Sequence, residues 1–332
     1  MRSCGHAVIR PTDKRQRTSC DRQATTAGLQ RTSGSENGNG NGNSNSNSNS
    51  KETSHMASGF NDTQKQVPLA ELAALIPDGA SVALGGSFLH RGPFALVREL
   101  IRQGRRDLEL IKQSPGYDVD ILCRAGVLRR IRAGIVAMEG NFGLAPGYRK
   151  AIEQGRVALE EHACATLTAG LRAAAYGVPF MPCGGLHGSD LPGLNGWHCL
   201  DDPYGSAAKT WVIPAIRPDF AVIHASEVDA LGNVRVRGTY HWDRIMSRAA
   251  GSVLVVAERM VGSEVFEREP EATVVPYFMV QALSIVPQGA WPGSCWPDYA
   301  IDYPAVERYM DITRTLDAHM AEAPELRETA HA

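Results

Sequence analysis

The chain has 332 residues, 43 % of them hydrophobic, which is enough to bury a substantial core in one large or two ordinary domains. A formal net charge of −2 leaves no electrostatic footprint for nucleic acid or an anionic membrane surface. No apolar run approaches the roughly 18 residues of a membrane span, and the opening "MRSCGHAVIRPTDKRQR" lacks the apolar centre of a secretory leader, so the expectation is a soluble, cytoplasmic protein.

Residues 1–63 differ in kind from the rest. The tract "NGNGNGNSNSNSNS", Asn37 to Ser50, is polar and repetitive and cannot offset its ordering entropy by burial. A disordered low-complexity tail is expected there. Asp13, Asp21 and the lack of an amphipathic stripe argue against a transit peptide. From Val67 onward, short apolar runs alternate with segments of helical spacing, the pattern of an α/β fold built on an open, mostly parallel sheet with helices on both faces.

The expected strands are Ser81–Leu84, Leu108–Lys112, Ile131–Met138, Trp211–Ala215, Phe220–His224, Val253–Ala257 and Ala282–Val286. The expected helices are Pro93–Gln103, Tyr148–Gln154, Cys164–Tyr176, Trp242–Ala250 and Ala305–Ala321. In the first helix Phe94, Val97, Leu100 and Ile101 make the inner face, and Arg98, Glu99 and Arg102 the outer one. The linkers are short, which favours one domain over residues 64–325. Seven cysteines lie scattered without C-x-x-C spacing, against both a zinc site and a dithiol redox motif, and read as reduced, mostly buried thiols.

Gly85-Gly86 follows the first strand directly, and glycines there let backbone N–H groups approach a ligand. A tight strand-to-helix turn would use them equally well. Phosphate-loop binding is excluded, since G-x-x-x-x-G-K-[ST] does not occur. Dinucleotide binding is disfavoured too: G-x-G-x-x-G is missing, and the second strand ends in Lys112-Gln113-Ser114 rather than an acid.

Asp78-Gly79, Val82-Ala83-Leu84, Gly85-Gly86 and Pro93 after Arg91 together resemble the N-terminal signature of family I CoA-transferase A (alpha) subunits of the glutaconate type. The resemblance runs from about Leu69 to Tyr303, through "AAAYGVPFMP", "DFAVIHASEVDALGNV" and "VPQGAWPGSCWPDYAIDY". Two departures stand beside it: Ser87 replaces the phenylalanine of the family's Gly-Gly-Phe, and Val280-Gln281-Ala282 replaces an apolar-Asp-Ala step.

The resemblance implies transfer of CoA between an acyl-CoA and a free carboxylic acid through a glutamyl-CoA thioester, without metal or cofactor beyond CoA as substrate. It also implies that the glutamate belongs to a homologous B subunit, in a Ser-Glu-Asn-Gly turn after the second strand. Here that turn reads Gln113-Ser114-Pro115-Gly116, with Pro115 in the place of the carboxylate. A hetero-oligomer, such as a heterotetramer, is therefore expected, with no catalytic nucleophile in this chain.

Glu139, at a strand end beside glycines, is the internal alternative. Substrate contact is expected from Gly85, Gly86, Ser87, His90, Arg91 and Ser114: donors at a helix N-terminus, and in Arg91 a fork able to hold a carboxylate. Competing readings are a CoA-thioester hydrolase or C–C cleaving enzyme of the same superfamily and a non-catalytic acyl-CoA-binding subunit. In the hydrolase branch an acid would register at Cys164, with Glu160 and Glu161 nearby. A sugar-phosphate isomerase on the related fold lacks its phosphate loop here.

Overall fold

Alternation along the strands decides the layering. Val82, Leu84, Leu110, Val222, Leu254 and Val256 pack into one apolar cluster, while Ala83, Ile111, Ala221, Ile223, Val253 and Val255 pack into a second. Successive side chains of a strand point to opposite faces, so a sheet apolar on both must be covered on both.

The computed structural model describes residues 65–205, 209–311 and 313–328, and the tail expected over residues 1–63 lies outside them. Its strands are β1 (Ser81–Leu84), β2 (Leu108–Lys112), β3 (Leu128–Ala133), β4 (Ala158–Glu161), β5 (Phe180–Cys183), β6 (His198–Asp201), β7 (Lys209–Pro214), β8 (Phe220–Val228), β9 (Val234–Arg235), β10 (Ser252–Met260), β11 (Thr273–Val275) and β12 (Val280–Ile285). Its α-helices are α1 (Leu69–Ala74), α2 (Phe94–Arg102), α3 (Tyr117–Ala125), α4 (Glu139–Phe142), α5 (Pro146–Glu153), α6 (Cys164–Ala175), α7 (Leu191–Leu194), α8 (Asp243–Ala249), α9 (Glu264–Arg268), α10 (Tyr303–Met310), α11 (Leu316–Met320) and α12 (Pro324–Glu328).

The parallel strands lie in the order β4-β3-β2-β1-β8-β10-β12, with β9 and β11 forming an antiparallel extension beside the end of β8. Helices α1, α2, α3 and α5 cover the first face, and α6 and α8 the second. Residues 65–67 run along the outer edge of β12: the Val67 N–H donates to Leu283 O, the Leu283 N–H donates to Lys65 O, and the Ser284 hydroxyl donates to Val67 O.

Several elements depart from the sequence expectation. Residues 211–214 of the expected strand are in one, but β7 belongs to a separate antiparallel sheet, β5-β7-β6, around Cys183, Leu186, Trp197 and Ile213. The expected strand Ile131–Met138 begins and ends earlier, at Leu128–Ala133, because Gln113 O accepts from both Gly134 and Ile135 N–H and draws the chain out of the sheet. Its arginines stay within it, Arg132 lying 2.8 Å from Glu109 of β2.

Helix α3 has no counterpart in the sequence expectation. Its acids are buried, with Asp118 paired to Lys112 and Asp120 accepting from the Tyr148 N–H and the Tyr309 hydroxyl. The helix expected over Ala305–Ala321 is two helices: Asp311 accepts from Thr313, and the Thr315 hydroxyl caps the second by accepting from the Ala318 N–H. On α2, Arg98 points inward rather than to solvent, bonding Glu325 and the Trp291 carbonyl. Among the described residues, no helix is long and apolar enough to cross a membrane. Cys123, Cys183 and Cys295 are buried free thiols, and Cys164 a half-buried one.

Candidate functional site

The chain starts its sheet in the middle, at β1, builds outward through β2, β3 and β4, then returns to β1's other side with β8. Strand order therefore reverses between β1 and β8. Beyond β1 the chain passes to α2 on the first face, whereas beyond β8 it turns back through β9 before reaching α8 on the second, and such a reversal of strand order is where open parallel sheets place ligands. Gly85-Gly86 sits at that reversal.

Gly85 prolongs the ladder, donating its N–H to Val222 O and accepting at its carbonyl from Lys112 Nζ at 2.8 Å. A Cβ here would come within 2.8 Å of Asp243 Oδ1. Gly86, at φ +73°, leaves still less room, since a Cβ would lie 2.4 Å from the carbonyl oxygens of His90 and Arg91. The reason for this crowding is a tight hairpin: Ser87 N–H donates to His90 O at 2.9 Å and His90 N–H donates to Ser87 O at 2.7 Å.

That hairpin corrects two expectations. Ser87 does not stand at a helix N-terminus, because α2 starts only at Phe94, and its N–H is already used. The Phe88 N–H goes to Ser114 O, so the hairpin's backbone donor left without an acceptor among the described residues is the Gly86 N–H. Arg91, in turn, offers no fork to a substrate. Its guanidinium is buried, bonded to the carbonyls of His224 and Thr239 and 2.6 Å from the wholly buried Asp243. Asp243 opens α8 and also neutralises Arg91.

Three loops meet this hairpin. The turn after β2, Gln113-Ser114-Pro115-Gly116, touches it through the Ser114 carbonyl, and a Cβ on Gly116 would come within 2.9 Å of Phe88 Cα. After β3, Glu139 opens α4 at φ +62° and accepts from the Leu89 N–H at 3.3 Å. From the segment after β12, Ser294 donates its N–H to Leu89 O, accepts at its carbonyl from the Arg91 N–H, and has its hydroxyl 2.7 Å from His90 Nδ1. His90 Nε2 lies 3.4 Å from Glu139 Oε1.

The structure thus brings Gly85, Gly86, Ser87, His90, Ser114 and Glu139 to one place. It adds Ser294, which no local signal in "PGSCWP" could have indicated. Nearby, the His241 imidazole is pushed down to about 4, first by burial and then by the charges of Arg91 and Lys112.

Other polar groups lie apart. The glycine-containing segment 184–190 follows β5 of the small sheet, where the Ser189 hydroxyl accepts from the Leu191 N–H. Glu227 is buried among Arg235, Arg237 and Arg259. Cys164 begins α6 with its carbonyl accepting from Gln113, while Glu160 pairs with Arg130, Arg132 and His162. A cavity of about 680 Å³ between β3, β4 and the small sheet is lined by Arg130, Arg132, His162 and Trp197 and includes none of the hairpin residues.

Ligand atoms of His224, Glu258 and Cys295 fall within 4.8 Å of one another, a grouping able to hold a metal ion that spacing along the chain could not reveal. The Glu258 carboxylate there already accepts from His224, from the Tyr299 hydroxyl and from the Gln288 N–H. Burial, with the Glu258 charge, pushes the Cys295 thiol up to about 12. These partners account for the cluster as a hydrogen-bonded part of the core.

Residues 68–285 match the family model described as Coenzyme A transferase. The A subunit of the glutaconate CoA-transferase of Acidaminococcus fermentans is 29 % identical over 263 residues, covering 74 % of this chain and 81 % of that one. The crystal structure of the glutaconate coenzyme A-transferase of that organism superposes with a TM-score of 0.72 at 27 % identity, over 79 % of this chain and 88 % of the other. The crystal structure of a variant of the decarboxylase AibA/AibB gives a TM-score of 0.71 at 32 % identity, over 81 % and 99 %. An uncharacterized protein of Archaeoglobus fulgidus is 32 % identical over 241 residues, 72 % of this chain; the chain spans about half of that protein's length, 54 %.

Proposed function

The chain belongs to the Coenzyme A transferase family, and from that premise we propose that it is an A-type subunit moving CoA between an acyl-CoA and a free carboxylic acid, with the attacking carboxylate brought by a homologous B-type subunit. The observation that carries this reading is the turn after β2. It packs against the glycine hairpin through Ser114, yet holds Gln113, Ser114, Pro115 and Gly116, and none of these has a carboxylate.

In the proposed cycle the partner's glutamate attacks the thioester carbonyl, giving a mixed anhydride and CoA thiolate. The thiolate then attacks the glutamyl carbonyl, releasing the first acid and leaving the enzyme thioester. The acceptor acid reverses both steps, so ping-pong kinetics are expected. In this reading the Gly86 N–H and the Ser87 hydroxyl meet the oxyanion, and the Lys112 contact fixes the Gly85 carbonyl beside them. CoA enters as substrate, and the cycle calls on no further cofactor.

Co-expression with the partner, incubation with a panel of acyl-CoAs and borohydride trapping tests the division of labour. Mass spectrometry should find the reduced adduct on the partner's glutamate. An adduct on this chain, or transfer by this chain alone, overturns the reading.

A further inference from the structure

Ser294, His90 and Glu139 form a chain of side chains that the transfer cycle does not use. Ionised, the Glu139 carboxylate only accepts hydrogen bonds, so a neutral His90 facing it places its proton on Nε2. Nδ1 is then an acceptor, and the Ser294 hydroxyl, 2.7 Å away, is its donor. The Leu89 N–H donates to Glu139 Oε1, and His90 Nε2 lies 3.4 Å from that same oxygen.

Its other oxygen, Oε2, has no protein partner among the described residues, and the side chain is 22 % exposed. The loops that hold this arrangement are clamped to each other. Ser294 N–H donates to Leu89 O, Arg91 N–H donates to Ser294 O, and α4 is closed by Met138 N–H to Gly143 O and Gly143 N–H to Glu139 O. A carboxylate fixed by one oxygen, with the other unpartnered beside the glycine hairpin, is the geometry of a general base.

We propose that Glu139, oriented by the His90–Ser294 pair, activates water to hydrolyse a CoA thioester held at the glycine hairpin. The inference rests on the reading that this site receives acyl-CoA. Glu139 Oε2 takes one proton from water as the water oxygen bonds to the thioester carbonyl carbon. The tetrahedral adduct collapses with cleavage of the C–S bond, and the departing CoA sulfur takes the proton back from Glu139. The products are a carboxylic acid and free CoA. His90 and Ser294 are positioning residues, since they act through Glu139 and touch neither water nor thioester.

The test uses the two-subunit enzyme with acetyl-, succinyl-, glutaryl- and glutaconyl-CoA as probes. CoA release without acceptor acid is followed by a thiol reagent, and transfer to added acetate by chromatography of the acyl-CoAs. Glu139→Gln should lower the ratio of release to transfer at least about 100-fold, within the range of general-base effects.

Ser294→Ala should lower that ratio about tenfold through kcat rather than KM, and Ser294→Thr, which keeps the hydroxyl, should restore it. A thermal midpoint close to that of the unsubstituted enzyme identifies folded variants, and Glu139→Asp provides a second carboxylate at altered reach, expected between the other two. An unchanged ratio in Glu139→Gln, or transfer without any release in the unsubstituted enzyme, overturns the proposal while leaving the transferase reading standing. The absence of both activities overturns both.

Discussion

Arg91 carries the plainest lesson at the scale of a residue. An arginine after a glycine loop has the chemistry to bind a carboxylate, and sequence cannot say which carboxylate it meets. Here it meets Asp243 from 152 positions away, and both are shielded from water. Removing one member of a buried pair strands the other, so Arg91→Ala should cost about 3–5 kcal/mol in a denaturant titration. Arg91→Lys should recover only part of this, because an ammonium cannot reach the Asp243 carboxylate and two carbonyls in the same fork geometry. Loss of substrate affinity at unchanged stability would instead favour a binding role. Ser294 escaped the sequence reading for a related reason: its partners His90, Leu89 and Arg91 all lie some 200 residues earlier, and only the folded chain brings them together.

Among elements, the hairpin after β1 shows how much a single backbone path constrains. Gly86 and Gly79 both have positive φ, but Gly79 has nothing within 4 Å of a Cβ, whereas Gly86 faces two carbonyl oxygens. Gly79→Ala should therefore cost only the left-handed backbone strain, roughly 1–2 kcal/mol. Gly86→Ala adds a clash that backbone must yield to, and should open the Ser87–His90 hairpin, lowering the thermal midpoint further and abolishing turnover. Equal midpoints for the two variants would show that strain alone matters.

The positions of β1, β2, β8, β10 and α6 were legible because their apolar runs are bounded by glycine, proline or charged residues. Helix α3 was not, since "YDVDILCRA" buries Asp118 and Asp120, acids that look solvent-facing until Lys112 and Tyr309 are in place. Likewise β3 hides behind Arg129, Arg130 and Arg132, whose charges are met by Glu109 and Glu160 on neighbouring strands.

For the whole molecule, buried histidines weaken the fold in acid. Burial, with Arg132 and Arg130 next in weight, pushes His162 down to about 4, and burial, with Arg98 next, pushes His319 down to about 3. Unfolded, both titrate near 6.5. The unfolded chain therefore binds more protons below that pH, and stability, complete above about 6.5, falls as pH drops to about 4 for His162 and about 3 for His319. Each contributes a slope of about 1.4 kcal/mol per pH unit within its window. Denaturant titrations at pH 7, 6 and 5 should show these contributions added together, and His319→Gln should remove its share, about 1.4 kcal/mol per pH unit. A slope indifferent to the substitution would exclude His319 from the acid response.

Sequence alone did convey the parallel α/β plan, which every long apolar strand repeats. It did not convey the small β5-β7-β6 sheet, whose strands are short and expose Phe180 and Leu200. Nor could it show that residues 65–67 lie beside β12 like a selvedge on cloth. Without that border the outermost parallel strand would present bare amide and carbonyl groups to any passing extended peptide. A protease nick just before α1 would therefore leave the glycine hairpin untouched and still turn a well-behaved particle into a sticky one.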